Sequence, residues 1–237
     1  MAASGGGGAE TFRAGKGRER SPGGAARIRG EQAVLRIGYM ASAAKEYLEA
    51  ALKHVRTQHP GAVVKLLDLS PGEQIAAFRA GEIDVGLTDE SAAVLAREFY
   101  TRVLVSIPCL VALPEQHPLR KLRSVRLAQL KNEVFVQANE QEVPGLTRRL
   151  TALCWRLGKF RPRFVGPTRT LADTLQTVAN ENAVAILPEF ARNHVATGVV
   201  LRPLADEAVT AQILVVWQRG KPTAAQRTLL DALFKKE

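Results

Sequence analysis

From Leu35 onward the chain repeats one pattern: a short run of branched aliphatic residues, then a longer stretch with apolar residues at helical spacing. Leu35 to Tyr39 is the first such run. Ser42 to Gln58 follows, with Tyr47, Leu48, Ala51, Leu52 and Val55 on one predicted helical face. His59-Pro60-Gly61 stops that helix, and Val63 to Leu69 is a second strand. Ser70-Pro71-Gly72-Glu73 is a helix start in which Ser70 caps, Pro71 fits the first turn and Glu73 closes a capping box. Ile75 and Phe78 point inward, Gly81 ends the helix, and Ile83 to Leu87 is the third strand. Strand–helix–strand–helix–strand at this spacing predicts a parallel sheet with right-handed crossovers.

A second unit of the same kind follows. Leu110 to Leu113, Val134 to Gln137, Arg163 to Gly166 and Ala183 to Leu187 are extended. Pro144 to Leu157 is a predicted helix with Leu146, Leu150, Leu153 and Leu157 inward, and Thr170 to Asn180 another with Leu171, Leu175 and Val178 inward. Val199 to Leu204 and Ala211 to Trp217 are extended again. Thr223 to Phe234 is a final helix, with Thr223 and Gln226 as its capping pair.

Composition narrows the class. With 46% hydrophobic and only 5% aromatic residues, the core must be aliphatic. No apolar run reaches the roughly 18 residues of a membrane helix, so no membrane association is expected. Residues 1–30 hold roughly half of the nineteen glycines and few large apolar side chains, so they are expected to be disordered. The net charge of +10 permits a polyanionic partner or an anionic ligand, and equally a solubilising surface.

Catalytic chemistry finds little footing. His54, His59, His117 and His194 are isolated, without metal-ligand spacing or an oriented partner. Cys109 and Cys154 form no CxxC pair and are expected to be inert, buried thiols. No nucleophile elbow or phosphate loop is present, and no cofactor or metal is expected. What recurs is small, polar or helix-starting residues where strands end: Met40-Ala41-Ser42-Ala43, Ser70-Pro71, Thr88-Asp89, Gln137-Ala138-Asn139 and Val165-Gly166-Pro167-Thr168. In open parallel sheets those ends line the ligand crevice. Helix N-termini there favour an anion over a cation.

In that frame the sequence resembles a known family. Leu35-Arg36-Ile37-Gly38-Tyr39-Met40-Ala41-Ser42 is similar to the opening of the effector-binding domain of LysR-type transcriptional regulators. Gly81-Glu82-Ile83-Asp84-Val85-Gly86-Leu87, Leu113-Pro114 with His117-Pro118-Leu119, Ala185-Ile186-Leu187-Pro188 and Val215-Val216-Trp217 follow in family order. The resemblance covers residues 34 to 236. It implies a two-lobed α/β fold of the type-2 periplasmic-binding-protein kind with two crossover strands. Lobe I would be 35–107 with 208–237, and lobe II 108–207. Residues 1–34 would be a Gly/Arg-rich tail ending in a linker-helix remnant at Ala25 to Ala33, without the family's winged helix-turn-helix. It further implies transcription regulation in the cytoplasm, a homo-oligomer (dimer or tetramer), and contact with DNA only through a missing or separate helix-turn-helix module. A small, anionic effector would lie between the lobes, on Ser42, Ala43, Pro71, Thr88, Asp89, Gln137, Leu146, Pro167 and Thr168, with hinge or oligomer geometry responding.

Several positions depart from the family pattern. Pro71 replaces a common hydroxyl residue, Asn182 replaces a frequent Gly, and Asp89 stands where some members carry Arg, so that its carboxylate would repel an anion. Two other functions suit the fold: a solute-binding protein, disfavoured by the lack of a signal peptide, and a cleft enzyme, for which Asp89 with Ser42 is the candidate pair.

Overall fold

The computed structural model describes residues 34–194, 197–206 and 209–235, with the backbone alone at Ala41 and Ser42. The expected tail and linker-helix remnant lie outside the described residues, except that Val34 already belongs to the first strand.

β1 (Val34–Tyr39) runs between β2 (Val63–Asp68) and β3 (Val85–Thr88), parallel to both. α1 (Ala41–Gln58) and α2 (Pro71–Ala80) are the crossovers. Leu48, Ala51, Leu52 and Val55 of α1 are buried against Leu35, Ile37, Val85 and Leu87, while Tyr47 remains 36% exposed at the margin of that face. Burying each of the larger aliphatic side chains contributes about 1.5–3 kcal/mol. The Ser70–Glu73 capping box forms, and Gly81 ends α2 in the left-handed region at φ 71°. Phe78 and Ile75 pack with Ile83, Leu95 and Phe99 beneath the same sheet. Asp84 has a structural role: its carboxylate accepts from the Arg36 backbone N–H at 2.8 Å and from Nε and Nη2 of the Arg36 guanidinium at 3.1 and 2.7 Å.

The sheet is mixed rather than purely parallel. β9 (Thr210–Trp217) joins β3 antiparallel, and β4 (Tyr100–Pro114) joins β9. Only Leu110 to Leu113 of β4 was legible as an apolar run. Its first half pairs with β9 on one side alone, so its residues are largely exposed and Pro108 is tolerated at an open edge. Beyond Pro108, β4 pairs with β7 (Ala185–Pro188) and β8 (Val199–Pro203) in the second lobe. One strand therefore crosses both lobes. The returning segment is tied to it at Cys109, whose N–H donates to the Val209 carbonyl and whose carbonyl accepts from Leu204.

In lobe II, β5 (Val134–Ala138) and β6 (Arg163–Thr168) are parallel, and backbone bonds between Val134, Val136 and Val184 attach β5 to the strand leading into β7. α4 (Leu171–Asn180) buries Leu175 and Val178 on one face. On the other, α3 (Leu146–Leu153) continues into a wider helical turn over Cys154–Gly158, so the helix expected to Leu157 reaches that point but loosens from Cys154 onward. α5 (Ala224–Phe234) returns to lobe I and packs on α1, where a His59 ring nitrogen meets the Thr228 hydroxyl at 2.9 Å. Asn182 adopts φ 49°, a conformation its short polar side chain tolerates.

Candidate functional site in the inter-lobe cleft

The segments that follow β2 and β3 meet the loop after β5 and α3. Two bridges join the lobes there. In the first, the Gly72 N–H in the opening turn of α2 donates to the Glu142 carbonyl at 2.8 Å. The approach is so close that a Cβ at position 72 would overlap the Gln141 carbonyl oxygen. The Glu142 carboxylate accepts from Nε and Nη2 of Arg169, at 3.1 and 2.7 Å. Arg169 and then Ser70 hold the Glu142 carboxyl below the usual range.

The second bridge centres on Arg149 in α3. Its guanidinium donates to Asp89 at 3.3 Å and to the Ser91 hydroxyl at 3.2 Å, and lies 3.9 Å from Glu90. Asp89 is positioned as the cap of the short 3-10 helix Glu90–Arg97, accepting from the Ser91 N–H. Glu90 in turn accepts from the Gln212 N–H on β9, which couples the bridge to the crossover region. Burial pushes the Glu90 carboxyl above the usual range; Arg149 opposes this and Asp89 adds to it.

The expected site residues divide among these features. Thr88, at the end of β3, is fully buried, and its hydroxyl oxygen has no hydrogen-bond partner. Asp89 faces Arg149 instead of standing as an uncompensated carboxylate. Ala43 is buried in the first turn of α1, where its N–H and that of Ala44 donate to the Met40 carbonyl. Ser42 lies in that turn, which has no side-chain cap. Pro71 is buried beside Gly72, whose N–H is spent on lobe II. On the far side, the Thr168 hydroxyl is committed to the Gln137 carbonyl and to Thr174. Leu146 opens α3, half-buried, and Pro167 is exposed at the end of β6. The sequence reading missed Arg149, Glu142, Ser91 and Glu90. The one available signal was Asp89 itself, a carboxylate at a strand end that needs a cation from elsewhere.

Both thiols are pushed up to about 12, Cys109 by burial and then by the charge of Glu90, and Cys154 by burial. They stay protonated near neutrality, as inert thiols would. No group of His, Cys, Asp and Glu able to hold a metal occurs among the described residues, and no described helix is long and apolar enough to cross a membrane. Hollows of about 410 Å³ beside α4 and about 340 Å³ beside α2 lie outside the bridged cleft.

Comparison with known proteins gives the same architecture a family. The model of the LysR substrate binding domain matches residues 29–236. The transcriptional regulator AlsR of Bacillus subtilis is 26% identical over 191 residues, 81% of this chain and 62% of AlsR. HcaR of Escherichia coli, an operon transcriptional activator, is 27% identical over 200 residues, 84% of this chain and 67% of HcaR. The chain thus spans about two thirds of the length of these regulators. Among solved structures, the effector binding domain of a BenM variant superposes with a TM-score of 0.73 at 17% identity, covering 85% of this chain and 93% of that one. The BenM domain with its effector benzoate gives 0.69 at 18% identity, covering 84% and 90%. This chain belongs to the LysR substrate-binding domain family.

Proposed function

We propose that the chain is the sensing part of a LysR-type transcriptional regulator and binds a small carboxylate metabolite between its lobes. Arg149 is the observation that carries this reading: a half-buried cation from lobe II, held at the strand ends of lobe I by Asp89 and Ser91. A ligand carboxylate would take Arg149 and the first turn of α1 at Ser42, with Ala43 lining the turn, and Thr88 would offer its unpartnered hydroxyl. Displacing Arg149 leaves Asp89 and Glu90 without their cation, so a ligand that also carries an ammonium or another donor fits both sides. Pro71, Gln137, Leu146, Pro167 and Thr168 complete the proposed lining.

Exchange of the two protein bridges for ligand contacts would alter the hinge at Cys109 or the packing of subunits. Lobe I is then 35–107 with 208–237, and lobe II 108–207. The same reading makes the protein cytoplasmic, without enzymatic activity of its own, and a homo-oligomer (dimer or tetramer). The exposed Leu66 and Leu67 on the unpaired edge of β2 support self-association. DNA would be reached through a helix-turn-helix module.

A thermal-shift screen of small carboxylates, amino acids and aromatic acids tests the reading. A ligand at 100 times its Kd stabilises the folded state by about 2.7 kcal/mol. The expected result is a hit that disappears in both Arg149→Gln and Ser42→Trp. A hit unaffected by either substitution overturns the assigned site.

A further inference from the structure

The positive charge of the folded part is concentrated in one place. Residues 115–163 hold eleven Lys and Arg against four Glu, a net +7, whereas the other residues from 35 to 237 balance to zero. Two of the four acids, Glu140 and Glu142, belong to the cleft loop after β5. Arg149 is paired across the cleft and Arg120 is half-buried. Besides Arg148, which is exposed on α3, eight are exposed: Lys121, Arg123, Arg126, Lys131, Arg156, Lys159, Arg161 and Arg163.

They surround a single core. Leu119, Val125, Leu127, Leu130, Leu157, Phe160 and Phe164 all pack into one cluster of lobe II, and each exposed cation lies within two residues of one of them. The segments also touch directly: the Arg163 guanidinium donates to the Asn132 carbonyl at 2.7 Å, and Gly158 lies against Ala128. Parallel pairing of Val134 with Arg163 and of Ala138 with Thr168 puts the cleft at one end of these strands and Lys131, Arg161 and Arg163 at the other.

None of the eight makes an ion pair among the described residues. Two acids approach these segments without forming an ion pair with any of the eight: Glu133 lies against His117 at 3.5 Å, and Asp206 accepts from the Leu127 N–H. Glu115 is the remaining exposed acid of the segment. Among the cations stands Trp155, 60% exposed, and beside Arg123 stands Leu122, 38% exposed. So many uncompensated like charges raise the energy of the free protein and are relieved by a polyanion. They surround one core cluster and line neither of the hollows beside α4 and α2, which suits an extended line of phosphates better than a compact anion.

We propose that this face of lobe II is a second, sequence-independent binding surface for the phosphate backbone of nucleic acid, distinct from the effector cleft and independent of the proposed ligand. In a regulator it would hold the sensing lobe against DNA flanking the site that the helix-turn-helix reads.

The test is fluorescence anisotropy of a short labelled DNA duplex of arbitrary sequence, titrated with the full chain between about 50 and 200 mM KCl. Two variants with the same net charge are compared. One is Arg123→Gln/Lys131→Gln/Arg156→Gln/Arg161→Gln in lobe II. The other is Lys53→Gln/Arg56→Gln/Lys65→Gln/Arg97→Gln on the exposed surface of lobe I. Each phosphate contact contributes about −0.9 to the slope of log K against log salt. The lobe II variant should therefore weaken binding at least about tenfold and flatten the slope by about 2–4, while the lobe I variant changes Kd less than about twofold. Single Arg123→Gln and Arg161→Gln variants, each flattening the slope by about 1, repeat the test if the quadruple variant unfolds. Absence of binding at the lowest salt, or equal losses in the two quadruple variants, overturns the proposal. Displacement by polyglutamate as effective as by unlabelled duplex also overturns it, in favour of an acidic polypeptide partner.

Discussion

Arg149 of lobe II donates to Asp89 of lobe I at 3.3 Å, so a carboxylate that would by itself repel an anion is half of a bridge across the cleft. The side chains are 31% and 21% exposed, which places the pair between a solvated surface contact and a buried one. Exposed pairs contribute about 0.2–1 kcal/mol. Arg149→Gln should accordingly lower unfolding stability by about 1 kcal/mol in urea titrations. It should also enlarge the radius of gyration in solution scattering, because the cleft loses one of its two bridges.

Gly72→Ala tests the other tie. The added methyl would collide with the Gln141 backbone, which has no flexible end to move aside. Such overpacking costs about 1–3 kcal/mol. Hydrogen exchange should show faster exchange at the Gly72 amide and in residues 139–143, with the amides of β1 and β3 unchanged. Equal acceleration throughout lobe I would mean that Gly72 serves the lobe and not the closure.

Thr88→Val separates folding from binding. The Thr88 hydroxyl oxygen is buried without a hydrogen-bond partner, so its removal should leave stability unchanged or raise it by about 1 kcal/mol. Ligand-induced stabilisation should fall at the same time. A loss of stability greater than about 1 kcal/mol would show that the hydroxyl is paired in the folded protein.

Glu90 gives a pH dependence of definite sign. Its folded-state value is raised, by burial first, so the folded protein binds the proton more tightly than the unfolded chain. No cost is felt below the ordinary carboxylate value. The cost grows as pH rises from that value through the raised one, and is complete above it. Relative to Glu90→Gln, the unmodified protein should lose thermal stability as pH rises through that window. Arg149→Gln should widen the window, since Arg149 holds the Glu90 value down.

How much was legible follows from the range of each interaction. The capping box at Ser70 and Glu73, the left-handed turn at Gly81 and the buried stripe Leu48, Ala51, Leu52 and Val55 depend on residues a few positions apart, and periodicity shows them. The sequence reading missed the first half of β4: its pairing partner lies about a hundred residues away, and Pro108 interrupts the run between Val103, Val105, Ile107 and the apolar stretch from Leu110. Likewise the helix predicted to Leu157 had the right leucines and extent, but periodicity did not show the wider turn from Cys154 to Gly158.

The sequence by itself determined the alternation of strands and helices, the aliphatic core, the family, and the strand ends from which a cleft is built. All of these rest on local propensity and periodic burial. The tertiary structure alone decided that Arg149 faces Asp89, that Gly72 is pressed against Glu142, and that eight exposed cations from separate segments surround one core cluster of lobe II. Those relationships join residues distant in the chain: the path of β4 through both lobes brings the first two about, and the packing of lobe II the third.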